Sequence, residues 1–396
     1  MMTKEQLADI KAKTDAGELA SPPDTIYVNN HIHTTYSFSP YNPTEALYMA
    51  WKNGLRTAGI MDHDSVGGCV EFIEAGAVIG MPVTCGVECR VDMSRTALNG
   101  KRINNPDQDS VAYVAMHGIP HQNIGAVAEF FAPYRARRNE RNKKMCERIT
   151  ELVSPYGLSL DFDADVLPIS NYNIGGSVTE RHILFALTKK ITALYNTPKA
   201  ALDFLCNNMK LDLSDKIKAQ IADGEKTPEY YEFDILGALK SNMVEKFYIN
   251  ATDECPDVAD FIAMVKKNGG IAAYAYLGDV GLSVTGDKKA QKFEDDYIDL
   301  LIEVLVGCGF DAITYMPTRN TAEQLDLIMN LCKTNGFFQI SGEDINSPRQ
   351  SFICRALDDP KFGHLIDATY TLIDYEAAAS ENFCAAREKY SHLFRK

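Results

Sequence analysis

Two histidines separated by one residue, His31 and His33, are the side chains of this sequence with the clearest capacity for chemistry. They follow the run from Thr25 to Asn29, which predicts a short buried strand. Side chains two residues apart on a strand point to the same side, so both imidazoles would face one way at the carboxyl end of that strand. Neutral ring nitrogens in this arrangement can bind one metal cation, although such a pair also arises by chance on packed or exposed surfaces.

Further histidines and carboxylates follow apolar runs elsewhere in the chain, which favours the metal interpretation. They are Asp62, His63 and Asp64, then Glu88, then His117, and finally Asp344. Mixed imidazole and carboxylate ligands suit Zn²⁺, Mn²⁺ or Fe rather than Ca²⁺ or thiolate-bound zinc. Glu88, placed between imidazoles, is the natural bridge between two cations. Two such metals would hold a phosphate and convert a water molecule into hydroxide.

Three candidate positions have a second interpretation that the sequence leaves open. Asp62 and Asp64 could instead orient His63 or cap the helix that follows. His182, which opens a helix after Thr179, could be a functional residue or an exposed helix residue. The sequence indicates no function for the remaining histidines, which are His121, His364 and His392.

The composition is that of a globular protein, with 45% hydrophobic and 24% charged residues over 396 positions. A net charge of −14 argues against a surface for duplex DNA or RNA, because that binding depends on basic groups. It permits a small anionic substrate held by metals and a few arginines. No apolar run is long enough to span a membrane, and the first residues contain no apolar signal core. Ten cysteines without a Cys-x-x-Cys pair fit a reducing compartment, so we expect a cytoplasmic protein.

Apolar runs alternate with helical patterns in two parts of the chain, which predicts an α/β parallel sheet or barrel. The predicted strands lie near 25–30, 56–61, 82–88 and 111–116, and then near 270–276, 311–315 and 337–341. The predicted helices include a long basic one over 134–153 and another over 288–307. We therefore predict an N-terminal extension over 1–24, a discontinuous barrel over 25–120 and 256–396, and a helical insertion over 121–255.

The order of these motifs resembles the polymerase and histidinol phosphatase (PHP) family of metal-dependent phosphoesterases. The motifs are His31-Ile-His33-Thr-Thr-Tyr-Ser, Met61-Asp-His-Asp64, Gly86-Val-Glu88 and Met116-His-Gly118. The match is closest to the subgroup that hydrolyses nucleoside phosphates and short oligonucleotides. Residues 138–145 resemble its arginine helix, and residues 178–184 resemble its Arg-Pro-His helix start, with Glu180 and Arg181 in place of Arg and Pro. The resemblance covers residues 25–190 and 265–350.

This resemblance implies a distorted (βα)7 TIM-like barrel with a helical insertion, and it assigns roles to individual residues. A first metal site would use His31, His33, Glu88 and Asp344. A second site would use Glu88, His117 and a histidine of an Ala-His-Pro turn. A third would use an acidic residue or histidine after the opening motif, His63 and a final Asp-x-His. Asp62, His63 and His182 would take part in catalysis, and Arg138, Arg141 and His182 would bind the phosphate.

Three positions depart from the family pattern. Phe38 replaces the acidic residue after the opening motif, Tyr276 replaces the histidine of the Ala-His-Pro turn, and Asn346 replaces the final histidine. Phenylalanine cannot bind a metal, and asparagine and tyrosine are poor substitutes for imidazole. The second site therefore lacks one ligand and the third keeps only His63, so we expect two divalent cations per chain. Tyr276 could still reach a cation as a phenolate.

These residues favour one function and leave two others open. We expect a metal-dependent phosphoesterase that hydrolyses a small phosphorylated molecule. The losses at the third site leave the alternative of a noncatalytic metal-binding or regulatory module. A C–N hydrolase of the amidohydrolase type also opens with His-x-His, but the sequence shows no well-placed lysine to bridge its metals. An assay of phosphatase activity on phosphorylated metabolites with added metal would distinguish the phosphoesterase from the noncatalytic module.

Overall fold

A curved sheet of seven strands lies at the centre of the computed structural model, which describes residues 1–280 and 292–395. The strands are β1 (Val28–Ile32), β2 (Thr57–His63), β3 (Val83–Asp92), β4 (Val111–His117), β5 (Ile271–Ala275), β6 (Ala312–Tyr315) and β7 (Phe338–Ser341). Each strand pairs with the next one along the chain, so the order in space is the order in sequence.

The strand β4 runs antiparallel to both of its neighbours, whereas β1 to β3 and β5 to β7 are parallel groups. The expectation of parallel strands throughout is therefore wrong for β4. The cause is the connection that precedes it. Residues 93–110 reverse the chain without a crossover helix, and a connection of this kind joins antiparallel strands, since parallel ones need a crossover.

Backbone hydrogen bonds between β1 and the chain after β7 nearly close the sheet into a barrel. The His33 amide donates to the Ile345 carbonyl (2.9 Å), and the Ile345 amide donates to the His31 carbonyl (3.1 Å). Close by, the buried Asn30 side chain donates to the Ser341 carbonyl (2.9 Å). The structure thus confirms the predicted distorted seven-stranded α/β barrel. The line along which β1 meets the chain after β7, which we call the barrel seam, passes through His31 and His33.

Helices surround the sheet and build the insertion. In chain order they are α1 (Lys4–Asp15), α2 (Pro43–Lys52), α3 (Cys69–Ile79), α4 (Ile124–Val153), α5 (Glu180–Leu194), α6 (Pro198–Asp203), α7 (Asp215–Ala222), α8 (Pro228–Phe247), α9 (Val258–Asn268), α10 (Ile298–Cys308), α11 (Ala322–Asn335), α12 (Gly363–Glu381) and α13 (Phe383–Lys389). Helices α4 to α8 lie between β4 and β5 in the chain. Over the described residues, none of the helices combines the length and the apolar character that a membrane span needs.

Two helices differ in extent from their predictions. Helix α4 begins at Ile124 rather than at residue 134, and it continues through Pro133. Val127 and Phe131 pack into the barrel core, and this packing keeps the turns before the proline helical. The predicted helix over 288–307 falls in part on residues 288–291, which lie outside the described residues, and the described helix is α10.

Helix α4 belongs to two hydrophobic cores. Val127 and Phe131 in its first half contribute to the barrel core, whereas Met145 and Ile149 in its second half contribute to the core of the insertion. With 30 residues it is about 45 Å long. The boundaries of the insertion at residues 121 and 255 stay a prediction.

Helix α12 fills one end of the barrel interior. Its fully buried Leu372 and Tyr375 pack with the small and aliphatic side chains of β5, β6 and β7. On the same helix, the buried Glu376 accepts hydrogen bonds from the Thr84 hydroxyl (2.6 Å) and the Cys85 amide (2.9 Å) at the start of β3. Apolar packing and the hydrogen-bonded Glu376 therefore occupy this end of the barrel interior.

We expect Leu372→Ala to lower the free energy of unfolding by about 2–5 kcal/mol, because it leaves a cavity among side chains that cannot collapse into it. Tyr370→Ala is the control, since Tyr370 lies on the same helix with 40% of its surface exposed. That variant should lose less than about 1 kcal/mol. Urea unfolding of both variants measures the difference, and equal losses would contradict the packing role of α12.

Candidate metal centre

The parallel strands β2 and β3 bring His63 and Glu88 together. The two residues pair across the strands, and Nδ1 of His63 lies 3.0 Å from Oε2 of Glu88. The sequence places Glu88 at the end of its strand, but in the structure β3 continues to Asp92 because residues 88–92 pair with β4. Glu88 therefore projects from the middle of a strand that is hydrogen-bonded on both sides.

His31 and His33 approach the same carboxylate across the barrel. Their Nε2 atoms lie 3.7 and 3.8 Å from Oε2 of Glu88 and 3.2 Å from each other. Nε2 of His33 is also 3.2 Å from Oδ1 of Asp344. The ligand atoms form two groups, His31 with His33 and Asp344, and His33 with His63 and Glu88, and within each group they lie within 4.8 Å of one another. The structure thus brings together every predicted first-site residue and His63.

A chain of hydrogen bonds from Asp62 through Ser37 fixes the His33 ring. Asp62 accepts hydrogen bonds from the Thr34 amide (2.7 Å), the Thr34 hydroxyl (2.6 Å) and the Ser37 hydroxyl (2.6 Å). Because Ser37 gives its proton to Asp62, its oxygen accepts from Nδ1–H of His33, 3.2 Å away. In this tautomer Nε2 of His33 is unprotonated, as a metal ligand must be. The catalytic role of Asp62 stays a prediction.

Burial and neighbouring charges set the protonation of the ligands. Burial opposes ionisation of Glu88, but the charges of His63 and His31 outweigh it and hold the pKa of Glu88 far below its usual range. Burial also opposes protonation of His31, yet Glu88 and Asp344 raise its pKa. For His33, burial and the neighbouring imidazoles prevail over Asp344 and lower the pKa. The carboxylates are therefore ionised beside imidazoles whose protons a cation would displace.

His117 lies deeper in the barrel than these ligands. It pairs with Gly86 on β3, and residues 86 and 88 share a face, so its ring enters the same interior one rung below Glu88. Neither ring nitrogen has a hydrogen-bond partner within the described residues. Burial and the charge of His31 lower the pKa of His117 to about 3, so the ring is neutral. A buried neutral imidazole of this kind fits a metal ligand, although His117 is outside the two groups of converging atoms.

The three positions that depart from the family pattern make structural contacts. Phe38 is buried in the core of the insertion. Asn346 donates its side-chain amide to Asp344 (2.6 Å) and so orients that carboxylate. The Tyr276 hydroxyl donates to Asp295 (2.7 Å), and burial together with this carboxylate raises the pKa of Tyr276. The phenolate through which Tyr276 could reach a cation is therefore disfavoured.

A set of ion pairs, whose members are buried except for the half-buried Glu180, joins the insertion to the barrel beside these ligands. We call it the arginine–carboxylate cluster, and its members are Arg90, Arg138, Arg141, Asp64, Glu180 and Glu254. Arg138 donates to Asp64 (2.6 Å) and Glu180 (2.8 Å). Arg141 donates to Glu254 (2.6 Å) and to Glu180. The cationic and anionic members balance, so the cluster is neutral as a whole.

Both arginines that the resemblance assigns to phosphate binding are therefore engaged with carboxylates. Glu180, which stands where the family pattern has arginine, pairs with Arg138 and with Arg141. A phosphate bound by either guanidinium would have to replace a carboxylate or share the group with it. Phosphate binding by Arg138 and Arg141 stays a prediction.

His182 caps its own helix. Its Nδ1 accepts a hydrogen bond from the Thr179 amide (3.0 Å), so the ring proton is on Nε2. Burial and the charge of Arg138 lower the pKa of His182 to about 3, which keeps the ring neutral. The side chain is buried, so the alternative of an exposed helix residue is wrong. Its roles in catalysis and phosphate binding stay a prediction, and in this state the ring offers an N–H donor.

Two residues that the sequence analysis does not identify line the same interior. Arg90 and Tyr113 pair across β3 and β4, one rung nearer the barrel mouth than the pair of Glu88 and Ala115. The ring centroids of Tyr113 and His63 are 5.9 Å apart. Only the antiparallel register of β4 reveals this placement, and the sequence does not predict that register.

The donor set fits a divalent cation. Each group combines imidazole nitrogens with a carboxylate oxygen, and Zn²⁺, Mn²⁺ and Fe²⁺ accept these ligand types. The hydrogen bonds around Ser37 leave Nε2 of His33 unprotonated, and Glu88 is ionised. The surroundings of both residues therefore suit the protonation state that a metal ligand needs.

No protein-family model and no curated protein sequence matches the chain. Among solved structures, it resembles a protein from Bifidobacterium adolescentis that is provisionally named a metal-dependent phosphoesterase. The identity is 21% and the TM-score 0.56, over 85% of this chain and 92% of that one. An amidohydrolase from Chromobacterium violaceum, whose structure holds sulfate and no metal, gives 17% identity and a TM-score of 0.54, over 83% of this chain and 90% of that one. At these identities the likeness establishes the shared fold.

We expect Ser37→Ala to weaken divalent-metal binding by about tenfold or more, because His33 loses the acceptor that holds its proton on Nδ1. Ser39→Ala is the matched control, since Ser39 lies in the same loop and accepts a hydrogen bond from the Tyr41 amide (3.3 Å). Competition with a chelating dye measures both affinities. Equal affinity in the two variants would contradict the role given to Ser37.

We expect Glu254→Gln to lower the free energy of unfolding by about 3–5 kcal/mol, because Arg90 and Arg141 lose a buried counter-charge. Asp253→Asn is the matched control. Its exposed carboxylate lies 3.7 Å from Arg137, and an exposed pair of this kind contributes less than about 1 kcal/mol. Denaturant unfolding compares the two variants, and a similar small loss in both would show that the cluster does not stabilise the fold.

Proposed function

We propose that this protein is a metal-dependent phosphoesterase that hydrolyses a small phosphorylated molecule. The observation that carries the proposal is the convergence of imidazoles and carboxylates inside the barrel, which involves His31, His33, His63, Glu88 and Asp344. The order of motifs along the chain supports it, as does the fold shared with a protein provisionally named a metal-dependent phosphoesterase.

We propose two divalent cations, of Zn, Mn or Fe, shared between the two groups of ligands, with His117 as a further ligand. When bound, such cations stabilise phosphoryl oxygens as Lewis acids and activate water for attack on phosphorus. Glu88 is suited to lie between them because it is ionised and approaches imidazoles from two strands. Asp344 is held by the side-chain amide of Asn346, so it meets the ligands in a fixed orientation.

The remaining predicted residues have distinct tasks in this proposal. Asp62 acts through Ser37 and fixes the tautomer of His33. His182 presents Nε2–H, which can donate to an oxygen of the phosphate or of the leaving group. Arg138 and Arg141 hold Glu180, two residues before His182, and so position the first turn of α5.

The proposed partner is a small molecule rather than a nucleic acid duplex or a membrane. The chain carries 54 acidic and 40 basic residues, a balance that opposes contact with a long phosphate backbone. The buried arginines are neutralised by carboxylates, so they add no positive surface. All ten cysteines are free thiols, which supports a cytoplasmic location.

Two other functions remain as candidates. The fold shared with an amidohydrolase favours hydrolysis of a C–N bond, but the described ion pairs of the ligand residues involve no lysine. The structural contacts of Phe38 and Asn346 favour a metal-binding module without catalysis. Both alternatives predict no hydrolysis of phosphoesters.

We expect the protein loaded with Mn²⁺, Zn²⁺ or Fe²⁺ to hydrolyse phosphomonoesters, and Glu88→Gln to lower kcat/KM by about 100-fold or more, since the bridging charge is lost. Glu140→Gln is the control, because Glu140 is exposed on α4 and its ion pair among the described residues is with Lys143. Phosphate release over a panel of phosphorylated metabolites measures activity, and elemental analysis counts the metals. Hydrolysis of amides alone would favour the C–N hydrolase, and metal binding without any hydrolysis would favour the noncatalytic module.

A further inference from the structure

We propose that the hydroxyl of Tyr113 binds an anionic oxygen of the group that is held at the metal centre. This inference deepens the proposed function, because it names a contact that the substrate makes beyond the metal ligands. It requires only that the centre binds a tetrahedral oxyanion such as a phosphate.

The strand register places Tyr113 directly above the ligands. Along the paired strands β3 and β4, His117 lies opposite Gly86, Ala115 lies opposite Glu88, and Tyr113 lies opposite residue 90. Alternate residues of a strand share one face, so Tyr113 faces the same interior as Glu88 and lies about 7 Å nearer the mouth. Its ring centroid is 5.9 Å from that of His63. A group bound beside His63 and Glu88 would therefore lie below the Tyr113 ring.

The backbone of Tyr113 is held firmly, whereas its hydroxyl is unpaired. Its amide donates to the Asn104 side chain (2.7 Å), and its carbonyl accepts from the same side chain (2.8 Å). Within residues 1–280 and 292–395, the hydroxyl has no hydrogen-bond partner. The side chain is partly exposed, so the hydroxyl is accessible from the barrel mouth. A tyrosine whose backbone is held in this way and whose hydroxyl is unpaired among the described residues can donate to a ligand.

Other tyrosines of this region have protein partners for their hydroxyls, which sets Tyr113 apart. Tyr248 lies 3.4 Å from the Arg90 guanidinium and 3.5 Å from the Gln108 side chain. Tyr276 donates to Asp295. Tyr113 has the same chemistry, but its hydroxyl has no partner among the described residues and is accessible, so it is available to an acceptor on a bound ligand.

Tyr113 is a donor and not a base. Burial raises its pKa, and the positive charge of Arg90 does not offset this effect. The charged groups that face it are Arg90, Glu180 and Asp107, with Tyr248 beside them. Arg90 is itself neutralised by Glu254. The phenol therefore keeps its proton and can donate it to an anionic oxygen, with no change of charge on the protein.

The test is Tyr113→Phe, which keeps the ring against His63 and removes only the hydroxyl. With Mn²⁺ loaded, we expect the affinity for inorganic phosphate to fall about tenfold in calorimetric titrations. Any phosphoester kcat/KM should fall about 100-fold, while the metal content stays unchanged. Tyr315→Phe is the matched control, since it removes a hydroxyl that contacts Gln339 (3.0 Å), and it should keep phosphate affinity.

The outcomes separate this inference from the proposed function. Unchanged phosphate affinity and kcat/KM in Tyr113→Phe would overturn the inference and leave the phosphoesterase proposal standing. Loss of metal from the variant would also overturn it, because the hydroxyl would then support the metal ligands rather than bind the anion. Weaker phosphate binding in a protein that hydrolyses no phosphoester would support the Tyr113 contact and overturn the proposed function. Failure of the unmodified protein to bind phosphate would overturn the inference.

Discussion

The pair of backbone hydrogen bonds at the barrel seam is the constraint on which the site depends. They join the carbonyl of His31 and the amide of His33 to Ile345, so the residues that close the barrel lie between and beside the ligands. Asp344 reaches His33 because its neighbour in the chain is part of this seam. Because side chains alternate along a strand, a slip of one residue would turn the ligands to the opposite face. The same backbone hydrogen bonds therefore close the barrel and bring the metal ligands together.

Two groups of polar side chains, the arginine–carboxylate cluster and the metal centre, lie side by side inside the barrel. They differ in how their charge is balanced. The arginine–carboxylate cluster is complete, because each buried guanidinium has a carboxylate partner and each carboxylate has a guanidinium. In the metal centre the ionised Glu88 is balanced by imidazoles, which can lose their protons, and burial opposes protonation of one of them, His33. Buried charges are tolerated when paired. The first assembly therefore joins the insertion to the barrel, and the second is the one able to accept a ligand.

Local sequence patterns predict much of the fold and the residues that meet in the centre, but not the partners of these residues. Apolar runs locate the strands, and the histidines and carboxylates that follow them include all the converging ligands. The direction of β4 depends on the shape of a connection without regular structure, so neither the depth of His117 nor the position of Tyr113 follows from pattern. Arg138 has a basic helix around it in sequence, yet its charge is cancelled by Glu180 from another helix. Contacts of this kind join segments that are far apart in the sequence, so no periodic pattern of residues predicts them.

The two sides of the barrel seam are synthesised at very different times. The strand that carries His31 leaves the ribosome before the insertion, whereas Ile345 and the helix that fills the barrel, α12, follow only after the whole insertion has been made. The core of the insertion is built largely from residues close in the chain, among them Ile183, Leu187 and Leu239. Domains tend to fold as their own residues emerge. A nascent chain can thus hold a packed insertion beside an open half-barrel, and the full ligand set for a cation exists only once β7 has been synthesised.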